Sequence, residues 1–121
     1  MLYVDGKWCE AVSGRTFDVH NPATGEVLGS VADGDGSDAR AAIEAAGRAF
    51  APWAAATAYE RSAVLADAHR LMLERQEELA RLMTSEQGKP LRMARTEVGY
   101  AADFLLWFSE EAKRADGMVS P

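Results

Sequence analysis

The sequence predicts a mainly helical α+β chain in which short N-terminal β-hairpins precede three helices, the last two of them long and antiparallel. Over residues 1–33, turn residues separate short apolar runs that have the length of β-strands. From Ser37 onward, apolar residues recur instead at the spacing of an α-helix. The 121 residues are 48% hydrophobic and 26% charged, a composition that excludes disordered and collagen-like chains.

Residues 1–33 predict two β-hairpins. Strands over Leu2–Val4 and Lys7–Cys9 flank Asp5-Gly6, a dipeptide that favours a two-residue hairpin turn. Two further strands, Thr16–His20 and Val27–Val31, flank a loop in which proline presets φ and glycine permits a positive φ. Both strand pairs are therefore expected to be antiparallel.

The first predicted helix spans Asp38–Phe50. Ser37 is its expected N-cap, because serine side chains accept hydrogen bonds from the free backbone amides of a first helical turn. Pro52 is expected to stop the helix, because a proline inside a helix removes a backbone hydrogen bond.

The second predicted helix begins at a capping box, Thr57–Glu60, and continues to Gly88, although Arg75 falls inside its apolar stripe. The third predicted helix is Pro90–Ala115, ended by Gly117. A short turn joins the two, which predicts an antiparallel pair. At ~1.5 Å per residue each is roughly 40 Å long or more, so another part of the protein is expected to lie alongside them.

Charge and apolar stretches limit the expected partners. Thirteen Lys and Arg against nineteen Asp and Glu leave a net charge of −6, so a general attraction to phosphate backbones is absent and no nucleic-acid partner is expected. The longest uncharged apolar stretch, Ala49–Tyr59, is far shorter than the roughly 20 residues of a membrane-spanning helix. The N-terminus also lacks the pattern of a targeting leader. We therefore expect a cytoplasmic chain without a membrane partner.

The segment Gly34–Ala39 matches the G-x-G-x-x-G/A fingerprint of dinucleotide-binding proteins. Asp33, Asp35 and Asp38 place negative charge where a pyrophosphate would sit, and a helix rather than a second parallel strand follows. We therefore interpret the segment as a turn that feeds an N-cap. The alternative, a small dinucleotide-binding protein, predicts that the cofactor quenches tryptophan fluorescence in a saturable way.

No catalytic residue and no metal ligand is predicted in this chain. Cys9 lies on a predicted strand beside Glu10, without a helix N-terminus or cationic cluster that would stabilise a thiolate. The lone cysteine also has no ligand spacing with His20 or His69, so a zinc site is not expected. We interpret both histidines as surface or boundary residues.

The third predicted helix carries a glutamate at the edge of its apolar stripe and aromatic residues that extend past the stripe. Glu97 lies close to the stripe, and we interpret it as one partner of an ion pair with Arg92, Arg95 or an arginine of another element. Four aromatic residues cover more of the helix than one contact stripe explains: Tyr100, Phe104, Trp107 and Phe108. Packing in a core or an interface is the favoured interpretation, and lining of a cavity is the alternative.

Several segments together resemble the N-terminal portion of the NAD(P)-dependent aldehyde dehydrogenases. They are Val4–Trp8, Asn21–Glu26, Ala46–Trp53, Glu86–Pro90 and Glu97–Arg114. The last of these is most similar to the succinate-semialdehyde dehydrogenase branch. No single segment suffices, but their order and spacing are specific and extend over essentially the whole chain.

The resemblance implies an N-terminal segment of the cofactor-binding domain, part of a Rossmann-like α/β fold, with hairpins over residues 1–33 and helices over 37–121. It implies a parent enzyme that uses a thiol nucleophile and NAD or NADP to oxidise an aldehyde, above all succinate semialdehyde, to the carboxylic acid. In the family, the nucleophile, the cofactor contacts and the oligomerisation region lie further along the chain. The resemblance therefore implies no cofactor-binding residue here, and a chain that is inert and binds no cofactor alone.

The resemblance also implies partners and one candidate site. The third helix borders the substrate entrance in the family, so Phe104 and Trp107 are implied to line that entrance. The implied partners are the remainder of the parent chain, the aldehyde substrate, and further subunits in a homodimer or homotetramer. The apolar ending Met118–Pro121 resembles a cut, and we expect the parent sequence to continue.

A second hypothesis is a free-standing helical-hairpin module that binds a protein partner. It shares the amphipathic helices and accounts equally well for the missing chemistry. Such a module is expected to be monodisperse and to unfold cooperatively. A segment deprived of its neighbour is expected to expose apolar surface, bind a hydrophobic dye and self-associate.

Overall fold

A computed structural model describes residues 1–114 and 117. The chain forms two compact units, Met1–Ala55 and Ala56–Pro121. The first unit contains β1 (Leu2–Val4), β2 (Lys7–Cys9), β3 (Thr16–His20), β4 (Val27–Ala32) and α1 (Gly36–Ala55). The second unit contains α2 (Ala58–Glu74), α3 (Gln76–Gln87) and α4 (Leu91–Glu111).

The two predicted hairpins are confirmed. β1 and β2 pair antiparallel with Leu2 opposite Cys9, and β3 and β4 pair antiparallel with Thr16 opposite Ala32. Between β1 and β2, Asp5 and Gly6 both have positive φ, 53° and 74°, as a tight turn that matches the twist of the strands requires. β4 extends one residue beyond the predicted Val31.

The first helix differs from the prediction at both ends. Asp35, not Ser37, is the N-cap: its carboxylate accepts a hydrogen bond from the Ser37 amide at 2.7 Å, and the Asp38 carboxylate accepts one from the Asp35 amide at 2.8 Å. α1 also continues through Pro52 to Ala55. The proline removes one hydrogen bond to the Arg48 carbonyl, and the surrounding alanines, which are strong helix formers, carry the helix past it.

The second predicted helix is two helices, so the prediction of three helices is wrong by one. The capping box is confirmed, because the Glu60 amide donates to Thr57 Oγ1 at 3.2 Å and the Thr57 amide donates to Glu60 Oε2 at 2.7 Å. The helix then breaks at Arg75, which has φ −103° and ψ 14°. An unbroken helix would hold this arginine within the apolar stripe, whereas the break allows its guanidinium to bind Glu78 at 2.6 and 2.9 Å. Gly88 ends α3 with φ 71°, as predicted.

The last helix ends earlier than predicted. α4 ends at Glu111, because the backbone bonds then tighten: the amides of Lys113 and Arg114 each donate to the carbonyl three residues before them. Residue Ala115, where the prediction placed the end, lies outside the described residues. Gly117 has φ 78°, a conformation that suits glycine.

The predicted antiparallel packing is confirmed, with α4 lying against α2 and α3. Their core contains Ala80, Ala94 and Val98, and partly buried apolar side chains surround these three: Met72, Leu79, Met83 and Leu91. Among the described residues, no large side chain is completely buried, so the three helices meet largely through small residues. No helix within the described part of the chain has the length and apolarity needed to cross a membrane.

Candidate functional site

The aromatic face of α4 is the candidate site. It consists of Tyr100, Phe104, Trp107 and Phe108, which helical spacing places on one side of α4, and each is between 47% and 63% exposed. Together with Asp103 they line an open groove of about 320 Å³. The expectation that these aromatics belong to a core is therefore wrong within this chain. Burial in an interface stays a prediction.

Three of the rings on this face, those of Tyr100, Phe104 and Phe108, form a row. Tyr100 and Phe104 meet edge to face, with ring centres 4.9 Å apart. Phe104 and Phe108 lie nearly parallel, with ring centres 6.4 Å apart. Both are geometries that aromatic quadrupoles favour, and both join residues one turn apart, so the backbone of α4 prearranges the row. Such a row offers a shaped apolar surface to whatever contacts it.

A second groove of about 570 Å³ continues from the aromatic face toward the start of α4. Its lining includes Tyr100, Phe104 and an ion pair between Lys89 and Glu97. The prediction of an arginine partner for Glu97 is wrong, because Arg95 binds Glu77 on α3 instead, at 2.7 and 3.0 Å.

Arg95 and Glu77 tie α4 to α3. Glu77 accepts both hydrogen bonds from Arg95 and also lies 2.7 Å from the guanidinium of Arg81. The hydrogen bonds from Arg95 lower the pKa of Glu77 to about 2, and the positive charges of the two arginines add to the effect. This carboxylate therefore stays ionised until strongly acidic pH.

A line of polar residues lies where α2 and α3 meet α4. Ser62 and Ser109 are buried, with their hydroxyl oxygens 3.1 Å apart, and His69 is half-buried with Nδ1 3.0 Å from the Ala102 carbonyl oxygen. Gln76 Nε2 donates to the Arg95 carbonyl at 3.0 Å. The boundary position predicted for His69 is confirmed. The roles of the two serines and Gln76 were missed, although the seven-residue spacing of Ser62, His69 and Gln76 was a readable signal.

The remaining candidates hold local structure. His20 is exposed and its Nδ1 lies 3.3 Å from the Gly25 carbonyl within the second hairpin. Cys9 is a free, half-buried thiol on β2. Among the described residues, no group of three or more possible metal ligands occurs.

The glycine-rich segment forms a helix cap, as we interpreted it. The hydrogen bond from the Ser37 amide is the main cause of a lowered pKa at Asp35. The carboxylates of Asp35 and Asp38 thus bind the amides of Ser37 and Asp35 and place two negative charges where a phosphate would otherwise meet this helix start.

Comparison with known proteins gives a consistent result. Residues 8–121 match the model of the aldehyde dehydrogenase family. The chain is 53% identical over 119 residues to the glutarate-semialdehyde dehydrogenase of Pseudomonas putida, covering 98% of this chain and 25% of that protein. It is 50% identical over 118 residues to an NADP(+) succinate-semialdehyde dehydrogenase of Escherichia coli, covering 98% of this chain and 24% of that protein.

Solved structures agree. An NADP-dependent enzyme of E. coli matches with a TM-score of 0.94 at 50% identity, over 98% of this chain and 24% of the other. The succinate-semialdehyde dehydrogenase of Burkholderia pseudomallei matches with a TM-score of 0.94 at 45% identity, over 98% of this chain and 25% of the other. This chain spans about a quarter of the length of the relatives it matches.

The hairpins, the helices and the resemblance noted in the sequence thus point to one fold, of which this chain has a mainly helical part. The chain belongs to the aldehyde dehydrogenase family.

Proposed function

We propose that this chain serves as the N-terminal segment of the cofactor-binding domain in a cytoplasmic semialdehyde dehydrogenase. The complete enzyme oxidises an aldehyde, succinate semialdehyde above all, to the carboxylic acid with NAD or NADP. The observation that carries the proposal is the identity of 50–53% over nearly the whole chain to relatives named for glutarate and succinate semialdehyde. Such relatives share a reaction class more securely than a substrate, so related semialdehydes of similar length belong to the same proposal.

The segment acts as a scaffold, and the reacting groups come from the rest of the enzyme. Its one cysteine, Cys9, is half-buried on a hairpin strand beside Glu10, a setting unlike the cationic surroundings that activate a nucleophilic thiol. At the start of α1, its own aspartates bind the Asp35 and Ser37 amides and place negative charge where a phosphate would have to bind. The cofactor, NAD or NADP, is therefore held by other parts of the complete enzyme, which is a dimer or tetramer.

Within that enzyme, Phe104 and Trp107 line the substrate entrance. Their exposure and the open groove beside them support this role, because an aldehyde with an alkyl chain gains by contacting apolar rings. Asp103 lines the same groove and adds negative charge. The carboxylate of a semialdehyde is therefore held away from Asp103, since two like charges repel.

A chain exchange tests the proposal. The 119 matching residues of the P. putida relative are replaced by this chain, and reduction of NAD and of NADP is followed with glutarate and succinate semialdehyde. We expect a folded, active chimera. A matched chimera with Phe104→Ser and Trp107→Ser is expected to keep its fold and to show a raised KM, because the substitutions remove binding surface rather than reacting groups. A well-folded but inactive exchange would contradict the proposed role.

The isolated chain is expected to form no reduced cofactor from either semialdehyde. Turnover by the purified chain would overturn the scaffold role. The alternative of a free-standing interaction module is less well supported, because a stable monomer rarely exposes a contiguous aromatic surface such as the aromatic face of α4.

A further inference from the structure

Three hydrogen-bonded contacts form a polar ladder between α2–α3 and α4. Ser62 contacts Ser109, His69 contacts Ala102, and Gln76 contacts Arg95. Each step of seven residues along α2 and α3 is matched by a step of seven residues back along α4. Seven residues return a helix to nearly the same face, so Ser62 and His69 share a face of α2, and their contact positions and that of Gln76 share a face of α4. Gln76, at the start of α3 just after the break at Arg75, continues the line.

The direction of each hydrogen bond follows from its partners. The Ser109 hydroxyl donates to the Ser62 carbonyl oxygen at 3.0 Å, so the Ser62 hydroxyl is the donor in the 3.1 Å contact between the two side chains. Both serines are only 3% exposed. The other two contacts end on backbone carbonyls, which accept, so His69 Nδ1 and Gln76 Nε2 donate.

The apolar packing between the same helices gives little information about their alignment. The buried residues of the pair are small, and they include Ala80, Ala94, Val98 and Ala102. If α4 moved along its axis by one turn, alanine or valine would still stand at two of the three buried positions now held by Ala94, Val98 and Ala102. The serine pair would not survive the move, because both hydroxyls would be left buried without partners.

We infer that Ser62, His69 and Gln76 are positioning residues that set the position of α4 along its axis. Ala102 and Ser109, the acceptors of two of the contacts, lie on either side of Phe104 and Trp107 in the sequence of α4. A slip of one turn would move both rings by about 5.4 Å, enough to displace them from a binding surface. The consequence for substrate rests on the proposed function, whereas the alignment of the helices does not.

Spin labels measure the alignment directly. Labels are attached to cysteines at the exposed positions Ala63→Cys and Thr96→Cys, in a chain whose native thiol is removed by Cys9→Ser. Diluted with unlabelled chain, so that only distances within one chain are measured, the parent is expected to show one narrow distance distribution. Ser62→Ala with Ser109→Ala is expected to add a population of roughly a tenth or more, displaced by about 5 Å. A distribution identical to that of the parent would overturn the inference.

Three further variants make the result specific. Ser109→Thr keeps the hydroxyl and is expected to keep the single distance. Ser85→Ala removes a hydroxyl on α3 that is outside the ladder, and it is also expected to keep the single distance. His69→Leu with Gln76→Leu removes the other two contacts and is expected to broaden the distribution. Should the double-alanine variant not fold, this last variant decides the question, and an unchanged distance in it contradicts the inference.

The chimera described above tests the consequence for substrate. Ser62→Ala with Ser109→Ala is expected to raise KM by the inverse of the fraction that keeps the native label distance, about twofold if half of the chains are displaced, and to leave kcat within about twofold. Ser109→Thr is expected to restore KM. A displaced label distance with unchanged KM would overturn the positioning of the rings but not the ladder. An inactive chimera that carries the native ladder would contradict the proposed function instead, while the label distances still decide the alignment.

Discussion

The buried serine pair predicts that removing one hydroxyl is more costly than removing both. Ser109→Ala leaves two groups without partners, the Ser62 hydroxyl and the second lone pair of the Ser62 carbonyl. Ser62→Ala leaves less unsatisfied, because the Ser109 hydroxyl still donates to the Ser62 carbonyl. The two single substitutions should therefore differ although they change the same kind of atom.

The magnitudes follow from burial, since both residues are only 3% exposed. A buried polar group left without a partner costs about 1–3 kcal/mol, so Ser109→Ala is expected to cost about 2–3 kcal/mol and Ser62→Ala about 1 kcal/mol. The double variant is expected to lie within about 1 kcal/mol of the parent, because no hydroxyl is then left without a partner. Ser62→Ala should thus stabilise a chain that already carries Ser109→Ala.

Urea unfolding followed by far-UV circular dichroism measures these differences, provided that the dependence of the free energy on urea stays constant among the variants. A double-mutant cycle then gives the coupling between the two serines. Additive costs, with the double variant equal to the sum of the two singles, would refute the reasoning. Ser85→Ala is the matched control and should change stability little.

Three further predictions address other parts of the chain. The pKa of Glu77 in the folded chain, about 2, lies below its ordinary value of 4.5, so its stabilising effect is complete above about pH 4.5 and disappears as the pH falls toward 2. Glu77→Gln should therefore lower the urea midpoint at neutral pH but not near pH 2. A difference between the two midpoints that does not change with pH would contradict this. Pro52→Ala should restore the bond to the Arg48 carbonyl and stabilise α1 by about 1–3 kcal/mol, seen as a higher thermal midpoint; a lower midpoint would be the contrary result. Phe104→Ser with Trp107→Ser should reduce both dye binding and self-association, measured by fluorescence and sedimentation, and equal values in the parent would argue against an exposed aromatic surface.

Local chemistry was the readable part of the sequence. Asp5-Gly6 fixes the first turn because both residues tolerate a positive φ, and the structure has both in that region. Thr57 and Glu60 mark a helix start because each side chain satisfies the other residue's amide. Gly88 marks a helix end because glycine tolerates the positive φ, 71°, with which the chain leaves the helix. These features depend on neighbours within a few residues, so periodicity and turn residues suffice to predict them.

The helix boundaries that were predicted wrongly are those at which two or more interactions compete. Pro52 costs the helix about 1–3 kcal/mol, but it lies within one turn of the helix end and is flanked by strong helix formers, so the helix continues past it. Asp35 takes the cap that Ser37 was expected to supply, because the Asp38 carboxylate returns a second hydrogen bond. In the sequence, Arg75 only interrupts the apolar stripe of a helix. That the helix breaks at this residue depends on its contact with Glu78, which the sequence pattern does not reveal.

The candidate site was predictable in its residues but not in its surroundings. The sequence places the aromatic residues on one face of a helix, whereas their exposure depends on what α2 and α3 leave uncovered. The serine pair was harder to predict, because serines occur throughout the chain and only the alignment of two helices brings Ser62 to Ser109.

The proposed role as an enzyme segment is tested most directly by the kcat/KM of the chain-exchange chimera with glutarate semialdehyde, measured beside the P. putida enzyme itself. We predict a value within about tenfold of that enzyme, because the substitutions in this segment leave the reacting groups in place. A folded chimera with less than about a thousandth of that value, a loss of the size expected when reacting groups are removed, would contradict it.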